Sequence, residues 1–280
     1  MQPLRIAHIS DLHFSAPNLN PFQLFSKRWL GNLNSCFLRK KEFRPARLLE
    51  IPSLLKEEKV QHLIVTGDLS TTSHPKEFIQ AQNFLSKISE RGICVHTLPG
   101  NHDHYTRHSF KNGLFYKYFS PSLKRNCVSA TAIAPKFWLV TLDTALATSL
   151  LTSNGLFSEE IEENLEKILF EIPQGDRIIL ANHFPFFCNE SARKALRRKE
   201  ALIKVIERHP QIIFYLHGHT HTCCIADLRP SGLPIVLDCG STPHIHGSLH
   251  LIEIEEKQYS IKVYRWKEQW TISQEKVFHV

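Results

Sequence analysis

The sequence predicts an α/β fold built from mixed β-sheets with helices on their outer faces. Short β-branched and apolar runs alternate with amphipathic helical segments early in the 280-residue chain, and the later part is rich in strand patterns. No internal repeat or linker-like stretch interrupts this order. We therefore expect a single domain over residues 1–280, with one insertion at about 14–44.

Strands are expected where β-branched and apolar runs lie between turn signals. They are Leu4–Ile9, His62–Thr66, Cys94–Thr97, Phe137–Leu142, Arg177–Ala181, Ile212–Leu216, Ile235–Asp238 and the antiparallel pair Ser248–Ile254 and Tyr259–Trp266. Helices are expected where apolar residues recur with helical periodicity. They are Pro45–Glu58, Pro75–Arg91, Ser158–Phe170 and Ser191–His209.

Composition narrows the compartment and the class of partner. The net charge of +7 and the isoelectric point near 9.0 favour nucleic acid, phosphate esters or an anionic membrane surface, without choosing among them. Seven cysteines, an odd number with no Cys-x-x-Cys pair, argue against a disulfide framework or a zinc ribbon. The N-terminus lacks the features of a signal peptide, and no apolar run approaches the roughly 20 residues that span a bilayer. We expect a cytosolic protein.

Five short polar motifs each follow a predicted strand. They are Asp11-Leu12-His13, Gly67-Asp68, Gly100-Asn101-His102-Asp103, Asn182-His183 and Gly218-His219-Thr220-His221. Each motif alone is weak evidence, because surface Asp-x-His pairs, Pro-Gly-Asn turns and structural histidines are common. Together they are informative, since α/β sheets place ligands at the carboxyl ends of their strands.

The donor set in these motifs indicates a pair of metal ions. It contains carboxylates, an amide oxygen and imidazoles but no thiolate, which suits Mn, Fe or Zn. Seven donors are too many for one tetrahedral ion and suit two ions that share a carboxylate. The expected ligands are Asp11, His13, Asp68, Asn101, His183, His219 and His221. His102 and Asp103 are the candidate catalytic residues, as a histidine–carboxylate pair.

This series of motifs resembles the calcineurin-like metallophosphoesterase superfamily, in the same order from residue 4 to about residue 266. The resemblance implies a four-layer αββα sandwich of two mixed sheets. It also implies that Asp11, His13 and His221 hold one ion, that Asn101, His183 and His219 hold the other, and that Asp68 bridges them. His102 would bind the substrate phosphate or protonate the leaving group, and a hydroxide bridging the ions would attack phosphorus.

The insertion at 14–44 combines apolar and basic side chains. Lys27, Arg28, Arg39, Lys40, Lys41 and Arg44 surround the apolar positions, in a pattern typical of a helix that lies in a membrane interface. The predicted membrane or lipid contacts are Phe22, Phe25, Trp29, Leu30, Leu33 and Phe37. A core-packing helix or a nucleic-acid groove would show a similar composition.

Differences between the motifs of this chain and those of related enzymes narrow the class of substrate. Phosphoprotein phosphatases resemble a pattern with an Asp-Arg pair after the second motif and a Glu closing the third, whereas this chain has Leu69-Ser70 and Asp103. One subgroup resembles this chain in its motif set and in having a membrane-facing insertion. It consists of the chlamydial-type UDP-2,3-diacylglucosamine pyrophosphatases of lipid A synthesis. The proteobacterial enzymes for that step resemble a pattern with Arg where this chain has His102.

The resemblance therefore predicts hydrolysis of a UDP-linked acylated glucosamine to UMP and lipid X (2,3-diacylglucosamine 1-phosphate), with two divalent ions, Mn before Fe or Zn. The enzyme would sit peripherally at the cytoplasmic face of the inner membrane, an anionic surface, with no protein partner. Two alternatives stay open. One is a soluble cyclic-nucleotide phosphodiesterase or a nuclease, so nucleic acid remains a possible partner. The other is a non-catalytic binding module with a relic metal site.

Overall fold

This computed structural model describes residues 3–16, 42–149, 151–187 and 191–280. The strands in that part of the chain are β1 (Leu4–Ile9), β2 (His62–Val65), β3 (Cys94–Thr97), β4 (Val128–Ala134), β5 (Phe137–Leu142), β6 (Gly155–Leu156), β7 (Arg177–Ala181), β8 (Leu196–Arg197), β9 (Ile212–His217), β10 (Cys223–Asp227), β11 (Ile235–Cys239), β12 (Ser248–Ile254), β13 (Gln258–Lys267) and β14 (Gln269–His279). The α-helices are α1 (Ile51–Glu57), α2 (Pro75–Ser89), α3 (Arg107–Lys111), α4 (Leu123–Asn126), α5 (Glu159–Glu171) and α6 (Lys199–Arg208).

Twelve of these strands form two six-stranded mixed sheets. The first has the order β14-β13-β12-β1-β2-β3, in which β1, β2 and β3 are parallel and the remaining neighbours are antiparallel. The second has the order β10-β11-β9-β7-β5-β4, with a parallel centre and an antiparallel strand at each edge. The parallel strands of each sheet end at one edge, and the predicted motifs follow those ends.

Apolar side chains form three layers that hold the sheets and helices together. Successive residues of a strand point to opposite faces. On β1, Ile6 therefore packs between the two sheets, while Ala7 and Ile9 pack outward in the cluster that also contains the buried residues of α1 and α2. The buried residues of α5 and α6 cover the outer face of the second sheet. The result is the predicted α/β architecture, with helices outside two mixed sheets.

Helix α5 begins where the sequence predicts. The hydroxyl of Ser158 accepts a hydrogen bond from the backbone N–H of Ile161 at 3.2 Å, which satisfies one of the unpaired amides of the first turn. Three glutamates in that turn interact favourably with the helix dipole. Leu165 and Leu169 lie on the buried face.

The prediction of a helix over Ser191–His209 is wrong in its first turns. Leu196–Arg197 pairs as a short parallel strand with Gly155–Leu156. Arg198 then adopts a left-handed backbone conformation with φ of 59°, so the helix begins only at Lys199. The basic residues before it are presented by turns and a strand pair rather than by a helix face.

The predicted lipid contacts Phe22, Phe25, Trp29, Leu30, Leu33 and Phe37 lie outside the described residues. The ends of the insertion are described. Phe14 forms an isolated parallel bridge with Ser70, and Phe43 forms an antiparallel bridge with His244. Among the described residues, no helix has the length and apolar content needed to cross a bilayer.

Candidate metal centre

The ends of five strands bring the predicted ligands into one cluster. Asp11 and His13 follow β1, Asp68 follows β2, and Asn101 follows β3. His183 follows β7 in the second sheet. The pair His219 and His221 follows β9. Donor atoms converge in three overlapping groups: Asp11 with His13 and His221, Asp11 with Asp68 and His183, and His13 with Asp68 and His102.

The first group joins the end of β1 to the end of β9. The Nε2 atoms of His13 and His221 lie 3.1 Å apart, and His221 Nε2 lies 3.1 Å from Asp11 Oδ1. Burial by itself would raise the pKa of Asp11, but the neighbouring imidazoles, His221 foremost, hold it well below its usual range. Asp11 is therefore an ionised carboxylate facing two ring nitrogens.

Two further imidazoles, of His183 and His219, are each oriented by a backbone carbonyl. His183 Nδ1 lies 2.7 Å from the carbonyl oxygen of Thr66, and His219 Nε2 lies 3.1 Å from that of Lys194. A carbonyl only accepts, so each of these nitrogens carries the proton. Burial lowers the pKa of both imidazoles, so the opposite nitrogens bear lone pairs.

Those lone pairs meet at another acceptor. His183 Nε2 lies 3.2 Å, and His219 Nδ1 lies 3.0 Å, from Oδ1 of Asn101. With this oxygen of the Asn101 amide turned toward both rings, three lone-pair-bearing atoms converge on one point, as the ligands of a cation do. Oxygen and imidazole donors suit a borderline divalent ion. The residues therefore fit a metal ion.

Asp68 lies between His13 and His183. Its Oδ2 atom is 3.5 Å from His183 Nε2 and 3.9 Å from His13 Nε2. Its other oxygen accepts a 2.7 Å hydrogen bond from the backbone N–H of His102, which fixes the carboxylate plane. Asp68 is therefore close to donor atoms on both sides of the cluster.

The cluster is held by unusual backbone geometry. Five positions in it have positive φ although none is glycine: Asp11, His13, Asp68, His219 and His221, between 47° and 72°. Such conformations are uncommon for residues with a Cβ and concentrate at functional sites. Each turns the chain sharply after a strand and aims the side chain back at the cluster.

Three glycines let the loops approach closely. A Cβ on Gly100 would lie 2.2 Å from Asp68 Oδ1, and one on Gly218 would lie 2.4 Å from Asp11 Oδ2. Gly67 has φ of 95°, and its Cβ would meet His183 Nδ1 at 2.7 Å. The glycines of the motifs are therefore required by packing against the ligands themselves.

The expected pairing of Asp103 with the His102 ring is not what the structure shows. Asp103 is fully buried and accepts hydrogen bonds from the backbone of Gly100, Leu69 and Ser70 and from the Ser70 hydroxyl, at 2.8–3.1 Å. Burial raises the pKa of its carboxyl, and these donors oppose the shift. Asp103 thus ties two ligand loops together, while Nδ1 of His102 donates to the carbonyl of Thr71 at 2.7 Å.

Sequence reasoning missed several residues beside the ligands. Phe43 packs its ring against His13 at 5.4 Å, and Tyr105 stacks on His102 at 5.4 Å between ring centroids. Asn182 is fully buried, and its amide group bridges the Thr144 hydroxyl, the backbone of the following histidine and the Tyr215 hydroxyl. Phe43 lies in the insertion that the sequence analysis singles out, although its contact with His13 was not predicted. No pattern in the chain marks Tyr105. The buried Asn182 is signalled only by its position directly before a predicted ligand.

Comparison with known proteins decides the family. The family model described as calcineurin-like phosphoesterase matches residues 4–223, well over half of the chain. The chain belongs to the calcineurin-like phosphoesterase family. As a member of that family it is a metal-dependent phosphoester hydrolase, and the family implies two divalent ions at the cluster described above.

Individual relatives of this phosphoesterase are distant. A 3',5'-cyclic-nucleotide phosphodiesterase from Nostoc sp. is 25% identical over 234 residues, which are 78% of this chain and 72% of that protein. A dimetal phosphatase from Danio rerio has a TM-score of 0.69 at 15% identity, covering 99% and 98% of the two chains. A purple acid phosphatase from yellow lupin has a TM-score of 0.66 at 11% identity, covering 99% of this chain and 53% of its own. The two structures establish the shared fold.

Proposed function

We propose that the seven ligands hold two divalent ions and that the protein hydrolyses a phosphodiester or pyrophosphate bond. Asp11, His13 and His221 would hold one ion; Asn101, His183 and His219 would hold the other. Asp68 would contact both, since it lies within 4 Å of a ligand from each group. When bound, such ions supply positive charge to the phosphoryl oxygens and activate water for attack on phosphorus.

The protein's own groups have separable tasks in this proposal. The carbonyls of Thr66 and Lys194 fix the ring orientation of His183 and His219. The carbonyl of Thr71 does the same for His102, whose Nε2 atom we assign to binding a phosphoryl oxygen or donating a proton to the leaving group. Manganese is the first ion to test, because these oxygen and imidazole donors accept it as well as iron or zinc.

The first candidate substrate is UDP-2,3-diacylglucosamine, cleaved to UMP and lipid X. The observation that supports it is the place where the insertion meets the site. Phe14 directly follows the ligand His13, and Phe43 packs on His13 and lies 6.1 Å from the His221 ring. Both ends of the aromatic and basic segment are therefore at the metal centre, as a substrate that enters from a lipid surface requires.

The second candidate is a 3',5'-cyclic nucleotide. The Nostoc relative bears that activity in its name, and the similarity covers 78% of this chain. A cyclic nucleotide has no acyl chains, so a substrate of this kind does not require the insertion to contact a membrane. The two candidates share the metal chemistry and differ in the leaving group.

Direct assay separates them. Purified protein loaded with Mn²⁺ is incubated with UDP-2,3-diacylglucosamine in detergent and, in parallel, with 3',5'-cyclic AMP; UMP and AMP are measured by chromatography. UMP release that depends on manganese supports the lipid substrate, and AMP release alone moves the assignment to the cyclic nucleotide. Activity on neither, with two ions bound per chain and no turnover of aryl phosphodiesters, would reject the proposed hydrolase.

Membrane association has its own test. The variant with Trp29, Leu30 and Leu33 changed to Ser is compared with wild type by co-sedimentation with anionic liposomes. A matched control replaces Leu151 and Phe170, exposed apolar residues outside the insertion, by Ser. We expect wild type and control to sediment and the insertion variant to stay in the supernatant. Equal sedimentation of all three proteins, or of none, would contradict a lipid-facing insertion.

A further inference from the structure

The loop between β11 and β12 carries polar groups that the metal centre does not use. The Ser241 hydroxyl donates to the Asp11 carbonyl at 2.7 Å. The next residue, Thr242, donates its N–H to the Ser10 carbonyl at 3.0 Å. A Cβ on Gly247 would lie 2.3 Å from the Ser241 carbonyl oxygen, so the loop turns back tightly. The loop is therefore fixed beside the strand end that carries the ligand Asp11.

The end of the insertion holds this loop from a second side. The Ile245 N–H donates to the Glu42 carbonyl at 2.8 Å. Arg47 Nη1 donates to the carbonyls of His244 and Ile245, at 2.7 and 3.0 Å. These contacts fix the backbone that carries His244.

The His244 side chain lies at the rim of the metal centre. The Phe43 ring is 5.5 Å from the His244 ring between centroids, and the same ring is 5.4 Å from His13 and 6.1 Å from His221. His244 is thus one aromatic ring removed from two of the ligand histidines. Its side chain is 21% exposed, so a solute can reach it although most of the ring is packed.

Hydrogen bonding leaves one nitrogen of His244 as a donor. Nδ1 accepts the backbone N–H of His246 at 3.2 Å. Burial lowers the pKa of His244, and the positive groups around it act in the same direction, whereas Glu42 opposes them. The ring is therefore neutral. In a neutral imidazole whose Nδ1 accepts, the proton is on Nε2.

The surroundings of this N–H group favour an anion. Arg47 lies close to a second guanidinium, since burial first and then the charge of Arg44 lower its pKa. The exposed His246 is two residues from His244 in the same loop. The nearby carboxylate of Glu42 is a weak competitor: its Oε2 atom is 4.0 Å from His244 Nε2, beyond hydrogen-bond distance, and the side chain is 57% exposed.

We propose that His244 Nε2, in the positive field of Arg44 and Arg47, binds a phosphate group that is joined to the scissile phosphate. This inference rests on the proposed function and narrows its substrate class to pyrophosphate diesters. A UDP-linked sugar has such a second phosphate and a 3',5'-cyclic nucleotide has none. An N–H donor on an ionised oxygen forms one of the stronger kinds of hydrogen bond, so its loss lowers affinity about ten-fold or more.

A matched pair of ligands isolates the second phosphate. UMP and α,β-methylene-UDP share the nucleoside and the first phosphate, and the methylene bridge prevents cleavage. Their binding to manganese-loaded protein is measured by isothermal titration calorimetry, with the same Mn²⁺ concentration in cell and syringe. His244→Ala should weaken binding of the methylene analogue about ten-fold and leave UMP unchanged. His244→Gln keeps an N–H group near the position of Nε2 and should restore part of the lost affinity.

A second variant tests the same contact in the opposite direction. Glu42→Gln removes the competing negative charge from an exposed position, so it should tighten binding of the methylene analogue by roughly five-fold and leave UMP unchanged. His279→Ala is the matched control. His279 is an exposed histidine at the end of the first sheet opposite to the metal centre, and its loss should change neither affinity.

Two results would overturn the subsite. One is equal weakening of both ligands in His244→Ala, which would mean that His244 acts on the fold or on the first phosphate. The other is unchanged binding of the methylene analogue in both His244→Ala and Glu42→Gln. No turnover is involved in these titrations, so failure of the subsite is distinguishable from failure of the proposed hydrolase, which appears only in the assays of product release.

Discussion

Gly218→Ala is the sharpest single test of the metal centre. The Cβ of alanine at this position would lie 2.0 Å from Ser10 Oγ and 2.4 Å from Asp11 Oδ2. Both distances fall more than about 1 Å inside an ordinary van der Waals contact. Ser10 is fully buried and its hydroxyl donates to the Thr66 carbonyl, so it cannot simply swing away.

The displaced group, Asp11, is one of the proposed metal ligands. Asp11 Oδ2 accepts the backbone N–H of His219 at 3.0 Å, so moving Asp11 also disturbs the loop that carries His219 and His221. Overpacking of this kind costs about 1–3 kcal/mol of folding free energy. A displacement of about 1 Å in a reacting centre lowers the rate by roughly 10²-fold. We therefore expect a folded protein with weaker metal binding and kcat/KM reduced by about two orders of magnitude.

The assay combines three measurements on wild type and Gly218→Ala: urea unfolding, bound manganese after a fixed dialysis, and kcat/KM on an aryl phosphodiester. Ser10→Ala in the same background removes the atom at 2.0 Å and leaves the contact with Asp11. The double variant should regain stability but recover metal binding only in part. Full metal content and wild-type kcat/KM in Gly218→Ala would refute the reasoning, because Asp11 would then not be a ligand at this position.

Three further predictions address individual groups. His102→Ala should keep two ions per chain while kcat falls by about 10²–10⁴, and loss of an ion on that change would place His102 among the ligands. Asp103→Asn should lower the free energy of unfolding by about 1–3 kcal/mol in urea, because an amide cannot accept from all four donors of the two loops; an unchanged urea midpoint would remove the role of Asp103 as a tether. Burial, and then the charge of His62, lowers the pKa of His96 from 6.5 to about 4 in the folded protein. The stability linked to this pKa shift is therefore fully present above pH 6.5 and is lost as pH falls toward 4, by up to about 3 kcal/mol. His96→Gln should make the free energy of unfolding, measured in urea, fall less steeply over that interval.

The sequence was sufficient for the parts of the fold that depend on strong local patterns. The parallel strands before the metal motifs are short, β-rich and mostly buried, and their predicted bounds agree with the structure to within a residue. Strands β4, β6, β8, β10 and β14 were missed, and β4 and β14 are the longest of them. Val128–Ala134 is made largely of small residues, and Gln269–His279 is a mostly exposed edge strand with many polar positions, so neither shows a clear apolar period.

The convergence of the candidate metal ligands was predictable for a related reason. Each lies within a few residues of a strand end, so chain order and strand adjacency already bring the motifs together. The main partners of Asp103 were not predictable, because three of its four donors belong to Leu69 and Ser70, more than 30 positions away. Local spacing suggested the neighbouring His102 instead. Hydrogen bonds to distant backbone groups do not depend on the side chains there, so a motif in the sequence does not reveal them.

For the same reason, the motifs identify candidate ligands but do not show whether each histidine presents an unprotonated nitrogen to the metal. A histidine coordinates a metal only through a nitrogen that lacks a proton, and the other nitrogen must then be held by an acceptor. Here those acceptors are main-chain carbonyls, of Thr66 for His183 and of Lys194 for His219. Any residue at positions 66 and 194 offers a carbonyl, so the sequence is silent about them. Their placement is fixed by strand register and by the loop before α6. The side chains of this protein therefore set which kinds of donor atom the cluster offers, and the packing of its two sheets sets which nitrogen each of these imidazoles presents.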